Sequence, residues 1–388
     1  MKYRYYAVLL CAVIFLLGFG SAAKLTDHYL NNTPLNHVYD AEKSEGRMLD
    51  TDFTASFAGS RFFINLNGLM RRAAGQREMN EVVKLDNGYL AGPMEDLDDW
   101  VLEQNADRTA YAAHRLKELG VPFLYVATPE TVAPQDSGVF TQDGLMPAGI
   151  EDYGNINMDV FLQRLSGSDA DVIDLRACMR EEGLDPYQYM YRTDHHWTTE
   201  GGFYAFTKIA QWVEEKTGKS VNPALLSLSN YKREVYPGWH LGSRGQRTGR
   251  WYAGADDFVL YLPQEDVEVT NERTGETGPF SELVISREPL QKRDPDSMYT
   301  YDRVLEKSLG QFTDPAAEND ARIMILCDSM GEAVCPFLIR GFRNVYYLDS
   351  YYPGNLTESL VKEWKPDAVI LLQYPGLLKN DFSYEFSF

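Results

Sequence analysis

The chain has 388 residues, 37 Lys+Arg against 57 Asp+Glu, 44% apolar and 13% aromatic content and 4 Cys. That length and apolar share suffice for a real core of one large domain or two modest ones, so general disorder is excluded. A net charge of −20 repels phosphate backbones and excludes a nucleic-acid protein, whose non-specific affinity rests on Lys and Arg.

Lys2 and Arg4 precede an uncharged run, Tyr5 to Ala23, the layout of an export signal. The small residues Ser21-Ala22-Ala23 suit signal-peptidase cleavage, while the run is also long enough to span a bilayer, so a cleaved leader and a membrane anchor both fit. Either way, the remainder of the chain is expected outside the cytoplasmic membrane. Residues 24–59 are polar and broken, which predicts a stalk or linker, and residues 60–388 are expected to form the folded domain.

Asn87-Gly88 predicts a tight hairpin turn with a strand after it. Asp98 to Leu119 has helical spacing without Gly or Pro and stops at Gly120. Phe123 to Ala127 is a continuous apolar run of the kind buried on both faces of a sheet. Ala170–Leu175, Arg322–Leu326, Asn344–Asp349 and Asp367–Leu372 read as further strands. Phe203 to Lys216 reads as an amphipathic helix with Phe203, Phe206, Ile209, Ala210 and Val213 on one side. This alternation predicts an α/β three-layer sandwich with a mostly parallel sheet. Residues 219–318 break the rhythm and read as a β-rich insertion.

Cysteine usage implies neither a disulfide framework nor a metal site. Beyond Cys11 there remain Cys178, Cys327 and Cys335, without zinc spacing. The helix expected from Glu332 to Arg340 would hold Cys327 and Cys335 too far apart to pair.

The densest chemical signal is Tyr191-Arg192-Thr193-Asp194-His195-His196-Trp197-Thr198-Thr199-Glu200-Gly201-Gly202, with two of the six His side by side before a helix that Thr198 or Thr199 could cap. An Asp two residues before a His can accept its Nδ1 proton, leaving Nε2 to act as a base; His196 fits that role and His195 would point elsewhere. The competing readings are a polar helix cap and a metal site. Adjacent His residues do not resemble the i,i+4 pair of a zinc helix, so no metal or other cofactor is expected. A nucleophile is expected at a strand end, and Leu326-Cys327-Asp328-Ser329-Met330-Gly331 places Ser329 at the carboxyl edge of the sheet, where α/β ligand sites gather. Cys327 there reads as a buried thiol.

These motifs, in the order Asn87-Gly88-Tyr89-Leu90, Phe123–Ala127, Val172-Ile173-Asp174-Leu175-Arg176, Asp194-His195-His196-Trp197 and Asp328-Ser329-Met330, resemble the SGNH-hydrolase-like domain of the alginate O-acetyltransferase (AlgX/AlgJ-like) group in its DHHW variant. The resemblance implies Ser329 as nucleophile, His196 as general base and Asp194 as its orienting acid. It also implies acyl transfer to a polysaccharide hydroxyl outside the membrane, with a membrane-bound acyltransferase as a possible acyl source. Here Cys327 replaces the Gly usually found before Asp-Ser, Pro129 is followed by Glu130-Thr131 instead of Lys, and no Asn-bearing oxyanion block is recognisable. Trp197, Arg192, Trp251 and Tyr252 are the expected substrate-binding residues, with Trp239 and the basic run Arg244, Arg247, Arg250 as further candidates to line a glycan groove. The alternatives are a secreted carbohydrate esterase of the same fold and a non-catalytic glycan-binding assembly subunit.

Overall fold

The computed structural model describes residues 59–133, 145–293 and 299–388. The candidate leader or anchor and nearly all of the expected stalk lie outside the described residues. Among the described residues, no helix is long and apolar enough to cross a membrane.

Helix Ser60–Ala73 leads into a small antiparallel sheet of β1 (Glu78–Met79), β2 (Val82–Lys84) and β3 (Leu90–Ala91). The turn between β2 and β3 holds Gly88 at φ 87°, the left-handed region that the Asn-Gly signal anticipates. The strand after that turn joins this small sheet and not the main one.

The main sheet is built from β4 (Phe123–Ala127), β5 (Asp171–Asp174), β8 (Glu268–Asn271), β9 (Glu276–Pro279), β10 (Gln311–Thr313), β11 (Arg322–Cys327), β12 (Asn344–Asp349) and β13 (Ala368–Gln373). Their order is β5-β4-β13-β11-β12-β10-β8-β9. The first five run parallel, and β10, β8 and β9 extend the sheet antiparallel. Strands β6 (Tyr231–His240) and β7 (Asp256–Pro263) form a separate antiparallel pair.

Alternation along the parallel strands feeds two cores, since successive side chains point to opposite faces. Leu124, Val126, Ile323, Ile325, Ile370 and Leu372 pack with Phe203, Phe206, Ile209 and Val213 of helix Thr199–Thr217. Phe123, Tyr125, Met324, Leu326, Val369 and Leu371 pack on the other face with Leu102, Ala106, Ala113 and Leu116 of helix Asp99–Glu118 and with Phe161 of helix Gly154–Leu165. A strand covered on both faces needs apolar residues at every position, which is why these runs are unbroken.

The segment after β11 departs from expectation. A 3₁₀ turn, Ser329–Ala333, comes first, and an α-helix starts only at Cys335 with Pro336 in its first turn. Proline is tolerated there because that N–H has no helical partner. The tight turn also folds Cys335 back over Cys327. The two are free thiols, and a side chain on Gly331 would meet both sulfurs. The expectation that a straight helix would separate them is therefore corrected. Burial, then a hydrogen bond with Cys335, pushes the Cys327 thiol well above its ordinary value.

Candidate active site

Asp328 prepares the turn that carries Ser329. Its Oδ1 accepts from the Met330 N–H at 2.9 Å and its Oδ2 from the Tyr374 N–H at 2.8 Å, so the carboxyl joins the ends of β11 and β13. Burial raises its pKa to about 6 against those backbone donors. Asp328 thus takes the helix-cap role and leaves the Ser329 hydroxyl uncommitted to the turn.

The loop before helix Thr199–Thr217 supplies the facing groups. Its ends are joined by a bridge between Met190 and Trp197, and Thr198 caps the helix by accepting from the Gly201 N–H. Between them, His196 Nε2 lies 2.7 Å from Ser329 Oγ, and His196 Nδ1 lies 3.0 Å from Asp194 Oδ2. Asp194, His196 and Ser329, far apart in sequence, therefore form one hydrogen-bonded line at the carboxyl end of β11. Asp194 is fully buried and His196 is 1% exposed.

Burial alone would raise the Asp194 pKa, but the His196 imidazole and hydrogen bonds from His195, His196 and His240 hold it well below the usual carboxylate range. Burial brings His196 down to about 4, with the Asp194 charge opposing. The imidazole is accordingly neutral at pH 7, the form that accepts a proton.

Four residues that the sequence did not single out support this line. His240, at the end of β6, donates from Nε2 to Asp194 Oδ2 at 3.1 Å. Ser243 donates from both N (3.0 Å) and Oγ (2.8 Å) to Asp194 Oδ1. The approach is possible because residue 242 is glycine: a Cβ there would sit 2.2 Å from the Asp194 Cβ. Tyr301 stacks on His196 (centroids 4.3 Å, 18°) and donates to the Ser329 carbonyl at 3.0 Å, while the Tyr299 hydroxyl lies 3.1 Å from His196 Nδ1. One signal was available: His240 is one of only six histidines.

His195 does not point elsewhere as expected. Its backbone N–H donates to Asp194 Oδ1 at 2.9 Å and its Nδ1 lies 3.0 Å from Ser243 Oγ. Ligand atoms of Asp194, His195 and His196 lie within 4.8 Å of one another, a spacing that an ion could span. Both Nδ1 atoms face hydrogen-bond acceptors and keep their protons, which leaves the ring lone pairs on the Nε2 atoms.

Of the expected substrate-binding residues, Trp197 and Tyr252 are corrected. Trp197 is fully buried and donates from Nε1 to the Met330 carbonyl at 2.9 Å, so it ties the His loop to the Ser turn and offers no face to a sugar. Tyr252 is buried, with its hydroxyl on the Gln76 carbonyl at 2.9 Å. Arg192 donates to the carbonyls of Ala253 and Ala255 and pairs with Asp256. Trp251 stands 41% exposed, edge-on to Phe62. Arg244 is also interior, donating to the Leu90 and Asp194 carbonyls and to Thr131. A hollow of about 820 Å³ between helix Asp99–Glu118 and Tyr384–Ser387 shares no residue with the Ser329 cluster.

Residues 95–260 match the family described as "SGNH hydrolase-like domain, acetyltransferase AlgX". The fold is that of an SGNH-hydrolase-like domain. The structure of Bacillus cereus PatB1 with a sulfonyl adduct is similar to it, with a TM-score of 0.60 at 18% identity over 79% of this chain and 100% of that one. A DHHW family protein from Eubacterium siraeum DSM 15702 gives 0.56 at 17% identity over 78% of this chain and 92% of that one. No curated protein matches the sequence. The match over residues 95–260 agrees with the resemblance to the AlgX-like group at the level of this domain.

Proposed function

We propose that the protein is an extracytoplasmic O-acyltransferase, most simply an acetyltransferase, that modifies hydroxyls of a cell-envelope or exported polysaccharide through an acyl-Ser329 intermediate. The observation that carries this reading is the Ser329–His196–Asp194 line, at 2.7 Å and 3.0 Å. The match to an acetyltransferase domain supports it.

In the first half-reaction His196 Nε2 takes the Ser329 proton as Oγ attacks the acyl carbonyl, and the donor's alcohol or carrier leaves. In the second, a sugar hydroxyl displaces Ser329 from the acyl group. Asp194 holds the His196 ring and stabilises the imidazolium formed in passing. A membrane-bound acyltransferase is the partner this scheme calls for as donor, and the uncharged run at Tyr5–Ala23 supports a site of action across the membrane.

A sulfonyl fluoride tests the nucleophile, since the PatB1 structure holds a sulfonyl adduct. Mass spectrometry is expected to find the label on Ser329 and none on the Ser329→Ala protein, whose acyl transfer falls by about 10³-fold or more, the order of magnitude for loss of a nucleophile. Equal labelling of both proteins would remove the serine from the chemistry and favour a glycan-binding subunit. Release of free acid at a rate unaffected by added oligosaccharide would identify an esterase.

A further inference from the structure

Three imidazoles meet the Asp194 carboxylate, and the two on the loop that faces Ser329, His196 and His195, differ in what reaches them. His196 has its Nε2 on Ser329 Oγ and is 1% exposed. Tyr301 covers one side of its ring and His195 lies against it, with centroids 3.8 Å apart. A bulky alcohol therefore has little access to it except past Ser329.

His195 is 27% exposed. Its Nδ1 lies 3.0 Å from Ser243 Oγ and 3.1 Å from Asp194 Oδ1. Ser243 Oγ already donates its one proton to Asp194, so both neighbours can only accept, and the His195 proton belongs on Nδ1. The neutral ring then carries its lone pair on Nε2, the nitrogen turned away from Asp194. Its position over the strand ends is fixed independently by Tyr374, 5.2 Å away between centroids, whose N–H bonds Asp328 beside Ser329.

Resting on the reading of Ser329 as nucleophile, we propose that His195 is a second catalytic imidazole, which carries the proton of the exchanging alcohol while His196 carries only that of Ser329. The cycle balances. At the start His195 is an imidazolium and His196 is neutral. In acylation the Ser329 Oγ–acyl bond forms, its proton passes to His196 Nε2, the donor's acyl–oxygen bond breaks, and the leaving alcohol takes the proton from His195 Nε2. In transfer the acceptor oxygen bonds to the acyl carbon and gives its proton to His195 Nε2, while Ser329 Oγ leaves and recovers its proton from His196. Asp194 faces each imidazolium with a different oxygen, Oδ1 toward His195 and Oδ2 toward His196.

The test uses full-length His195→Gln and His195→Ala proteins with p-nitrophenyl acetate as donor and glycerol as acceptor. Gln keeps a donor toward Ser243 but cannot relay a proton. Nitrophenolate leaves without protonation, so the burst rate is expected within about threefold of wild type. Steady-state transfer is expected to fall about 100-fold, within the range for general acid–base catalysis, with acetyl-Ser329 accumulating by mass and free imidazole restoring transfer in His195→Ala. Burst and transfer falling together without imidazole rescue would make His195 a positioning residue and overturn the proposal, as would unchanged transfer. A wild-type protein that shows neither burst nor acetyl-Ser329 would overturn the nucleophile itself, which separates the two failures.

Discussion

At the scale of single residues, the central fact is a buried carboxylate, Asp194, that accepts from His196, His240, Ser243 and the His195 backbone. An ionised carboxylate without such partners would cost several kcal/mol to bury, on the order given by desolvation. His240 shares Oδ2 with His196, so it draws on the same negative charge that steadies a proton on His196. Replacing it with Leu removes that competitor for Oδ2 and raises the His196 pKa. Because His196 must be neutral to work, activity of the wild type should persist as pH falls well below 6.5 and decline only toward about 4. The acid limb of His240→Leu is expected at higher pH, and that of His240→Gln, whose amide still donates, close to wild type; coincident limbs for all three would show that His240 does not tune the base. Asp194, His196 and Ser329 were legible because their signals are local: an Asp two before a His, and a Ser at the end of an apolar run. His240 and Ser243 were not, since they reach Asp194 from 46 and 49 residues away and only the packing of β6 brings them there.

At the scale of elements, the site depends on how closely helix Thr199–Thr217 approaches the turn Ser329–Ala333. A Cβ on Gly202 would lie 2.4 Å from the Ala333 carbonyl oxygen, so the helix start and the serine turn meet backbone to backbone. Gly202→Ala is expected to destabilise the protein by about 1–3 kcal/mol, the usual cost of overpacking, and to slow sulfonyl labelling of Ser329 because the turn must move. A melting curve and a labelling time course on the same sample check both; unchanged values would mean that the helix can retreat without cost. The elements themselves were largely legible. Runs such as Phe123–Ala127 and Ile323–Leu326 announce strands covered on both faces, and helix Thr199–Thr217 buries the five residues that its spacing selects. Aromatic identity was a poorer guide: Trp197 and Tyr252 look like sugar platforms in sequence, yet their polar atoms bond to the backbone inside the fold. A ring with one polar tip suits either role, and only burial distinguishes them.

For the molecule as a whole, burial raises several carboxyls above their ordinary range. Asp302 is pushed up to about 6 and Glu332 to about 10, burial being the largest cause for each and their mutual repulsion adding to it for Glu332; Glu130 is raised well above its ordinary value, again chiefly by burial. A group with a raised folded pKa keeps its proton in the native state while the unfolded chain releases it, so its contribution is full below the unfolded pKa and is lost as pH climbs through the folded one. Stability is therefore expected to decline from about pH 4.5 toward pH 10 through Glu332, by up to about 1.4 kcal/mol per pH unit for one full proton. The buried neutral His196 acts in the opposite sense, costing stability as pH falls from 6.5 toward 4. Denaturant unfolding across this range should show a shallower alkaline decline for Glu332→Gln than for wild type, and parallel curves would mean that Glu332 is charged in the native state. None of this was legible in the sequence, because Asp302 and Glu332 look like ordinary surface acids until tertiary packing encloses them.

The bond from Trp197 Nε1 to the Met330 carbonyl has an evolutionary consequence. Its acceptor is main chain, present whatever side chain stands at 330, so the gap between imidazole and hydroxyl is gauged by an indole on one segment and by nothing that mutation on the other can delete. Homologues can vary the position after the serine, within the space available, and keep the same reach, whereas a change at the tryptophan would release both segments at once.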